Sequence, residues 1–157
     1  MNRAITTHRG LGVVLAVLAA LALVIAPVSR ANAVSTWING ERAYSTPGDA
    51  YSFLGDRERT TCTWRAYVTI VKEGDHIYVR DDCADGIAAV GQVMWKGSGG
   101  TDERRYCVNR HGNGTIAHCN LDWPEGGTTA KTFVAGLEKP SPVEGQWQWG
   151  NYVTIYD

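Results

Sequence analysis

The sequence predicts an all-β fold: a single antiparallel β-sandwich with two hairpin disulfides and an amino-terminal extension. Short alternations of apolar and polar residues, broken by Gly, Asp and Asn, run through most of the chain. No long stretch has the spacing of an amphipathic helix. The six Trp and seven Tyr residues are typical of strands and of contact surfaces. A chain of 157 residues is long enough for one compact domain.

Residues 1–33 have the features of a cleaved secretory signal peptide. A basic start that includes Arg3 leads into an apolar run from Leu11 to Val28. The run ends at Ala31-Asn32-Ala33, whose small first and third residues suit a signal peptidase. An uncleaved membrane anchor is the alternative. We therefore expect a mature protein of residues 34–157 that is secreted, extracellular and no longer attached to a membrane.

The charge balance argues against nucleic acid as a partner. The formal net charge is −1, and removal of the arginine-containing signal leaves a more acidic mature chain. Binding to phosphates needs a basic surface, which this composition does not supply. We expect other secreted proteins or glycans as partners.

Strands are predicted in order from the alternation pattern. Arg65–Val71 and His76–Arg80 flank a turn at Glu73-Gly74-Asp75. Ala88–Trp95 is more uniformly apolar and is expected at the centre of a sheet. The remaining predicted strands are Arg104–Asn109, Thr115–Leu121, Thr128–Leu137 and Gln146–Tyr156.

All four cysteines lie in the mature part, where oxidising conditions favour disulfides. Cys62 and Cys83 are symmetric about the first predicted turn, and Cys107 and Cys119 about a turn at Asn113-Gly114. Positions symmetric about a hairpin turn face each other at the separation a disulfide requires. We predict the bridges Cys62–Cys83 and Cys107–Cys119, although four cysteines permit three pairings. Their spacing does not fit a zinc site.

The segment 34–61 differs in character from the sandwich domain predicted for residues 62–157. It is rich in polar and small residues, yet it carries more aromatic side chains than a disordered arm should. Two interpretations stay open: the segment adds an edge strand to its own sandwich, or it reaches out to bind a partner. The candidate binding residues of this arm are Trp37, Tyr44, Tyr51 and Phe53.

A second aromatic group lies near the carboxy-terminus. On a single strand, Trp147 and Trp149 would share one face, and after Gly150 the alternation resumes with Tyr152 opposite Val153. Because only one side of a sandwich strand faces the core, Trp147, Trp149 and Tyr152 are candidates for binding a partner protein or a sugar ring. The alternative is that the two Trp side chains fill the core.

The sequence contains no recognisable catalytic constellation. His76, His111 and His118 are not accompanied by Ser or Asp in a nucleophile pattern. The acidic run around Asp81, Asp82 and Asp85 lacks the spacing of a calcium loop and is interpreted as a solvated turn. We expect a protein that is not an enzyme and has no catalytic residues, no metal site and no cofactor.

Several motifs resemble those of small secreted β-sandwich proteins of Streptomyces and related actinobacteria. They are Asp82-Cys83-Ala84-Asp85-Gly86, the strand that ends in Trp95, Tyr106-Cys107-Val108-Asn109, Gly112-Asn113-Gly114-Thr115 and Cys119-Asn120. In size, signal and cysteine pattern the chain is similar to the small adaptor subunit of secreted umbrella toxin particles. The resemblance implies partners: a lectin subunit, whose cleft would receive the segment 34–61, and a large repeat-bearing toxin subunit.

The leading hypothesis is therefore a secreted, non-catalytic protein-interaction module, of which an adaptor in a toxin assembly is one form. A carbohydrate- or cell-wall-binding domain that uses Trp147, Trp149 and Tyr152 is the first alternative. The second is a small secreted protease inhibitor with a disulfide-braced loop at Arg110-His111.

Overall fold

The computed structural model describes residues 34–55, 62–124, 129–138 and 148–156, which form a sandwich of two β-sheets. The predicted all-β class is thereby confirmed. Within these ranges no helix is long and apolar enough to span a membrane. The strands are β1 Val34–Asn39, β2 Glu41–Ala43, β3 Ala50–Gly55, β4 Trp64–Val71, β5 His76–Asp81, β6 Ala89–Lys96, β7 Asp102–Asn109, β8 Thr115–Asn120, β9 Lys131–Leu137, β10 Gln148–Trp149 and β11 Val153–Ile155.

The two sheets have different strand orders. Sheet A runs β1-β7-β6-β9-β10, with β11 also paired to β9, and sheet B runs β2-β8-β5-β4-β3. Among the described strands, the parallel pair is β1 with β7. The pairs β5–β8 and β6–β9 join strands that are not consecutive in the chain. The chain therefore crosses between the sheets several times.

The alternation of side chains places the core between the two sheets. Val68 and Ile70 on β4 face Val93 on β6 and Phe133 on β9, and all four are fully buried. Burial of each such side chain contributes about 1.5–3 kcal/mol. The residues between them in sequence therefore lie on the outer faces, where binding surfaces can form.

Both predicted disulfides are present. Cys62 and Cys83, with Cα atoms 5.5 Å apart, lie just beyond the ends of β4 and β5. Cys107 and Cys119, with Cα atoms 5.9 Å apart, lie on β7 of sheet A and β8 of sheet B. The second bridge therefore joins the two sheets rather than two paired strands. The reason is that the chain changes sheet after Asn109, so β8 pairs with β5 instead of β7.

The described part of the predicted arm, residues 34–55, belongs to both sheets. Strand β1 lies at the edge of sheet A, and β2 and β3 form the two edges of sheet B. The chain crosses between the sheets at Gly40, where a Cβ atom would lie 2.8 Å from the Cβ of Ala117. Of the two interpretations left open, the structure has the one in which this segment pairs with its own sandwich. The predicted signal peptide and the boundary near residue 61 lie outside the described residues.

The predicted strand Gln146–Tyr156 is two short strands, β10 and β11, which both pair with β9. Between them the chain turns toward β3. The Gly150 N–H donates to Ala135 O at 2.8 Å, and the Ser52 hydroxyl donates to Asn151 O at 2.6 Å. These bonds tie the carboxy-terminal segment to sheet B as well as to sheet A. After the break, Ile155 is buried and Tyr152 is exposed, as the alternation predicted.

Candidate functional site

An aromatic stack lies on the outer face of sheet A. Trp37 on β1 is in register with Tyr106 on β7, which is in register with Gln92 on β6. The Trp37 and Tyr106 rings stack with centroids 3.9 Å apart and planes 2° apart. Gln92 Nε2 donates to Tyr106 Oη at 2.7 Å and fixes the tyrosine in place. Trp37 remains 45 % exposed, because β1 is the edge of the sheet.

Trp149 on β10 extends this stack from the opposite edge of sheet A. Its indole ring covers Gly136 of β9, where a Cβ atom would come within 2.3 Å of the ring, so a larger residue there would displace it. The ring centroid lies 6.5 Å from that of Tyr106, and the side chain packs on a small cluster that includes Val90 and Val108. We call Trp37, Tyr106 and Trp149 the first aromatic surface.

The outer face of sheet B carries a second aromatic surface: Tyr51, Phe53, Trp64, Tyr67 and Tyr78. The Tyr51 and Tyr67 rings are 6.0 Å apart and stacked, and Phe53 meets Trp64 edge-on at 4.3 Å. Tyr51 is 58 % exposed and Trp64 is 41 % exposed, whereas the other three rings are half-buried. Three neighbouring strands, β3, β4 and β5, supply these side chains, which therefore form one continuous surface.

A histidine pair borders the second aromatic surface. Tyr78 on β5 is in register with His118 on β8, and their rings stack at 4.8 Å. His118 Nε2 lies 2.9 Å from His76 Nδ1, the distance of a hydrogen bond. Burial lowers the pKa of His118, the charge of nearby His76 lowers it further, and Glu41 partly opposes both effects. The lowered pKa favours the neutral form of the His118 imidazole.

The structure does not keep the two predicted groups of binding residues together. Of the arm residues, Trp37 belongs to the first aromatic surface, while Tyr51 and Phe53 belong to the second. Tyr44, strongly exposed after β2, and Tyr152, exposed before β11, are assigned to neither surface. Trp149, like Trp37, lies beside Tyr106, and Trp147 lies outside the described residues. Sequence reasoning missed Trp64, Tyr67, Tyr78 and Tyr106.

The acidic run is not a solvated turn, and that interpretation is wrong. Asp85 makes an ion pair with buried Arg65 at 2.7 Å, and Asp82 makes one with Arg80 at 2.6 Å. Asp81 is itself buried. Burial raises the pKa of Asp81 to about 6. A hydrogen bond from the Cys83 N–H lowers this pKa, and the charges of Asp85 and Asp82 raise it. The run thus ties this end of the sandwich together.

A cavity of about 210 Å³ lies beside Asp81. Arg110, the residue named for the inhibitor alternative, lines it, but its guanidinium is already engaged by Glu138 Oε1 at 2.6 Å and by Asn39 Oδ1 at 2.9 Å. An inhibitory arginine must instead extend into the pocket of its protease. This geometry gives the inhibitor alternative no support.

In the described part of the chain, no group of three or more His, Cys, Asp or Glu side chains could hold a metal ion. Comparisons of the chain with protein-family models, curated proteins and solved structures found no match.

Proposed function

We propose that this chain is a secreted, non-catalytic protein-interaction module that binds another secreted protein through the second aromatic surface. The observation that carries this proposal is the continuous set of aromatic rings on the outer face of sheet B, with Tyr51 and Trp64 most exposed. Tyr and Trp are enriched in the centres of protein–protein interfaces, where they combine a large apolar area with little loss of side-chain freedom.

The mutual packing of the rings favours a protein partner over a sugar for this surface. Tyr51 packs on Tyr67, and Phe53 on Trp64, so each ring already has a neighbour within its own sheet. Rings that pack on one another leave less open ring face for a sugar to stack on than an isolated ring does. The sheet and the nearby Cys62–Cys83 bridge hold them in position, so little order has to be gained on binding.

An adaptor role is supported by the position of the two aromatic surfaces on opposite outer faces of the sandwich. A protein that links two partners needs two separated contact regions, and exposed Trp37 supplies an anchor on the face opposite Tyr51. The sequence resemblance implies a lectin subunit and a repeat-bearing toxin subunit as those partners. Two disulfides and the predicted signal peptide support an extracellular location.

The test is affinity capture of proteins from culture medium with matched variants. We expect the protein to retain a partner that the double variant Tyr51→Ala/Trp64→Ala retains at least tenfold less. Tyr156→Ala is the control, since Tyr156 is 59 % exposed, about as much as Tyr51, but is not part of either surface. Capture that is absent, or equal for both variants, contradicts the proposal.

A carbohydrate-binding function is the second candidate, and it is favoured by one observation. Trp37 is stacked on Tyr106 at one ring face and is 45 % exposed, an arrangement that can present the indole to a sugar ring. A glycan array and a chitin pull-down test it: retention should fall with Trp37→Ala and be unchanged with Tyr156→Ala. Retention that is absent or insensitive to Trp37→Ala rejects this candidate.

A further inference from the structure

The histidine pair has a geometry that suits more than a hydrogen bond. His76 lies at the start of β5 and His118 lies on the neighbouring strand β8, on the outer face of sheet B. Their facing atoms, His76 Nδ1 and His118 Nε2, are 2.9 Å apart, and both side chains are half-buried at the surface. Two paired strands therefore hold two imidazole nitrogens within reach of a single metal ion.

The separation of these nitrogens is nearer to that of adjacent ligands at 90° than to that of tetrahedral ligands. With the usual metal–imidazole distance of about 2.0–2.1 Å, two nitrogens 2.9 Å apart subtend an angle of about 90° at the metal. This is the angle between adjacent ligands in square-planar and tetragonal sites, which Cu²⁺ and Ni²⁺ prefer. A tetrahedral Zn²⁺ site would need the nitrogens about 3.3 Å apart.

We propose that His76 and His118 together bind a divalent copper or nickel ion as two adjacent ligands on the outer face of sheet B. Each ring turns by about 45°, so that its nitrogen lone pair leaves the line that joins the two nitrogens and points at the ion, and the metal replaces their hydrogen bond. The proton of that bond moves through solvent to the other nitrogen of the same ring, so both ligands are neutral. Water, or a donor atom of a bound partner, fills the remaining positions. This proposal does not depend on the proposed function.

The surroundings of the pair favour a bound cation. Tyr78 stacks against the His118 ring. Glu41 on β2 is in register with His118, and its charge acts on that imidazole. All four cysteines are in disulfides, so no thiol competes for the ion.

The experiment is a Cu²⁺ titration of the untagged protein by isothermal calorimetry, with electron paramagnetic resonance of the complex. We expect one ion per chain and a tetragonal spectrum with coupling to two imidazole nitrogens. His76→Ala and His118→Ala should each weaken binding at least tenfold. His111→Ala is the matched control, because the His111 imidazole contacts Gly40 O and is not one of the two proposed ligands. It should leave the affinity unchanged.

Circular dichroism verifies that each variant is folded, and His118→Asn replaces any alanine variant that is not. Three results would overturn the proposal: a folded His118 variant that binds Cu²⁺ as tightly as the natural protein, an equal loss with His111→Ala, or a spectrum without coupling to two nitrogens.

Discussion

Arg65 makes the most deeply buried of the described ion pairs, the one with Asp85. Its guanidinium donates to Asp85 Oδ2 at 2.8 Å and to Gln148 Oε1 at 2.8 Å, so it connects β4 with the loop after β5 and with β10. The side chains of Arg65 and Asp85 are only 5 % and 13 % exposed. Removal of one partner from such a pair leaves a charge that is buried without compensation.

We therefore expect Arg65→Ala to lower the free energy of unfolding by about 3 kcal/mol. Arg80→Ala is the control, since the Arg80 side chain is 49 % exposed in its pair with Asp82. That variant should lose about 1 kcal/mol or less, because exposed ion pairs contribute little. Urea unfolding at neutral pH measures both values, and equal losses would contradict this account.

Asp81 makes stability depend on pH in an unusual direction for a carboxylate. Its pKa is raised from 3.8 to about 6 in the folded protein, chiefly by burial. Between these values the folded state holds a proton that the unfolded state has lost. The contribution of Asp81 to stability is therefore fully present below pH 3.8 and is lost as the pH rises through 6.

Asp81→Asn removes this titration but keeps an oxygen that can accept the Cys83 N–H. We expect the variant, relative to the natural protein, to gain on the order of 1–2 kcal/mol between pH 4.5 and pH 7.5. Urea unfolding at the two pH values measures the difference. The same relative stability at both would show that Asp81 is ionised at the lower pH.

The chain crosses from β1 in sheet A to β2 in sheet B at Gly40. A Cβ atom here would lie 2.8 Å from Ala117 Cβ and 3.0 Å from Cys107 Sγ, both buried. Gly40→Ala should therefore cost about 1–3 kcal/mol through overpacking. Gly55→Ala, whose Cβ would have its nearest neighbour at 3.9 Å, should change stability by less than about 0.5 kcal/mol. Thermal unfolding compares the two, and a neutral Gly40→Ala would contradict the tight crossing.

Most strands could be predicted because their signals are local. The bounds of β4 to β9 agree with the sequence prediction to within about three residues, which is the usual uncertainty of element ends. The turn between β4 and β5 was also correct. The break at Gly150–Tyr152 could not be predicted, because the hydrogen bonds to Ala135 and Ser52 that shape it come from residues distant in sequence.

Local sequence patterns could not predict which side chains come together when the strands pair. The pairing of β5 with β8 brings His76 beside His118, although 42 positions separate them in the chain. The placement of Trp37 and Trp149 beside Tyr106 depends on the order of five strands in sheet A. The alternation of β4 could have identified Tyr67 as outward-facing, but not that Tyr51 would pack beside it.

The two disulfides brace the sandwich in different ways. Cys107–Cys119 closes the shorter loop, with a sequence separation of 12 against 21 for Cys62–Cys83, so chain entropy alone would make it the weaker brace. It is, however, buried in the core and joins the two sheets. Its removal also leaves a cavity between them.

Both double alanine variants should therefore lose on the order of 3 kcal/mol of unfolding free energy, and Cys107→Ala/Cys119→Ala should lose more than Cys62→Ala/Cys83→Ala. Urea unfolding of the two variants and of the natural protein measures the order. A larger loss for Cys62→Ala/Cys83→Ala would mean that loop length outweighs the core position.

The parallel pairing of β1 with β7 also affects the order in which the strands can assemble. Val34 meets Glu103, so the earliest described strand has no place to dock until β7 has been synthesised. Contacts between residues so distant in sequence form slowly, because closing a long loop costs chain entropy. We therefore expect the docking of β1 on β7 to be one of the last steps of folding.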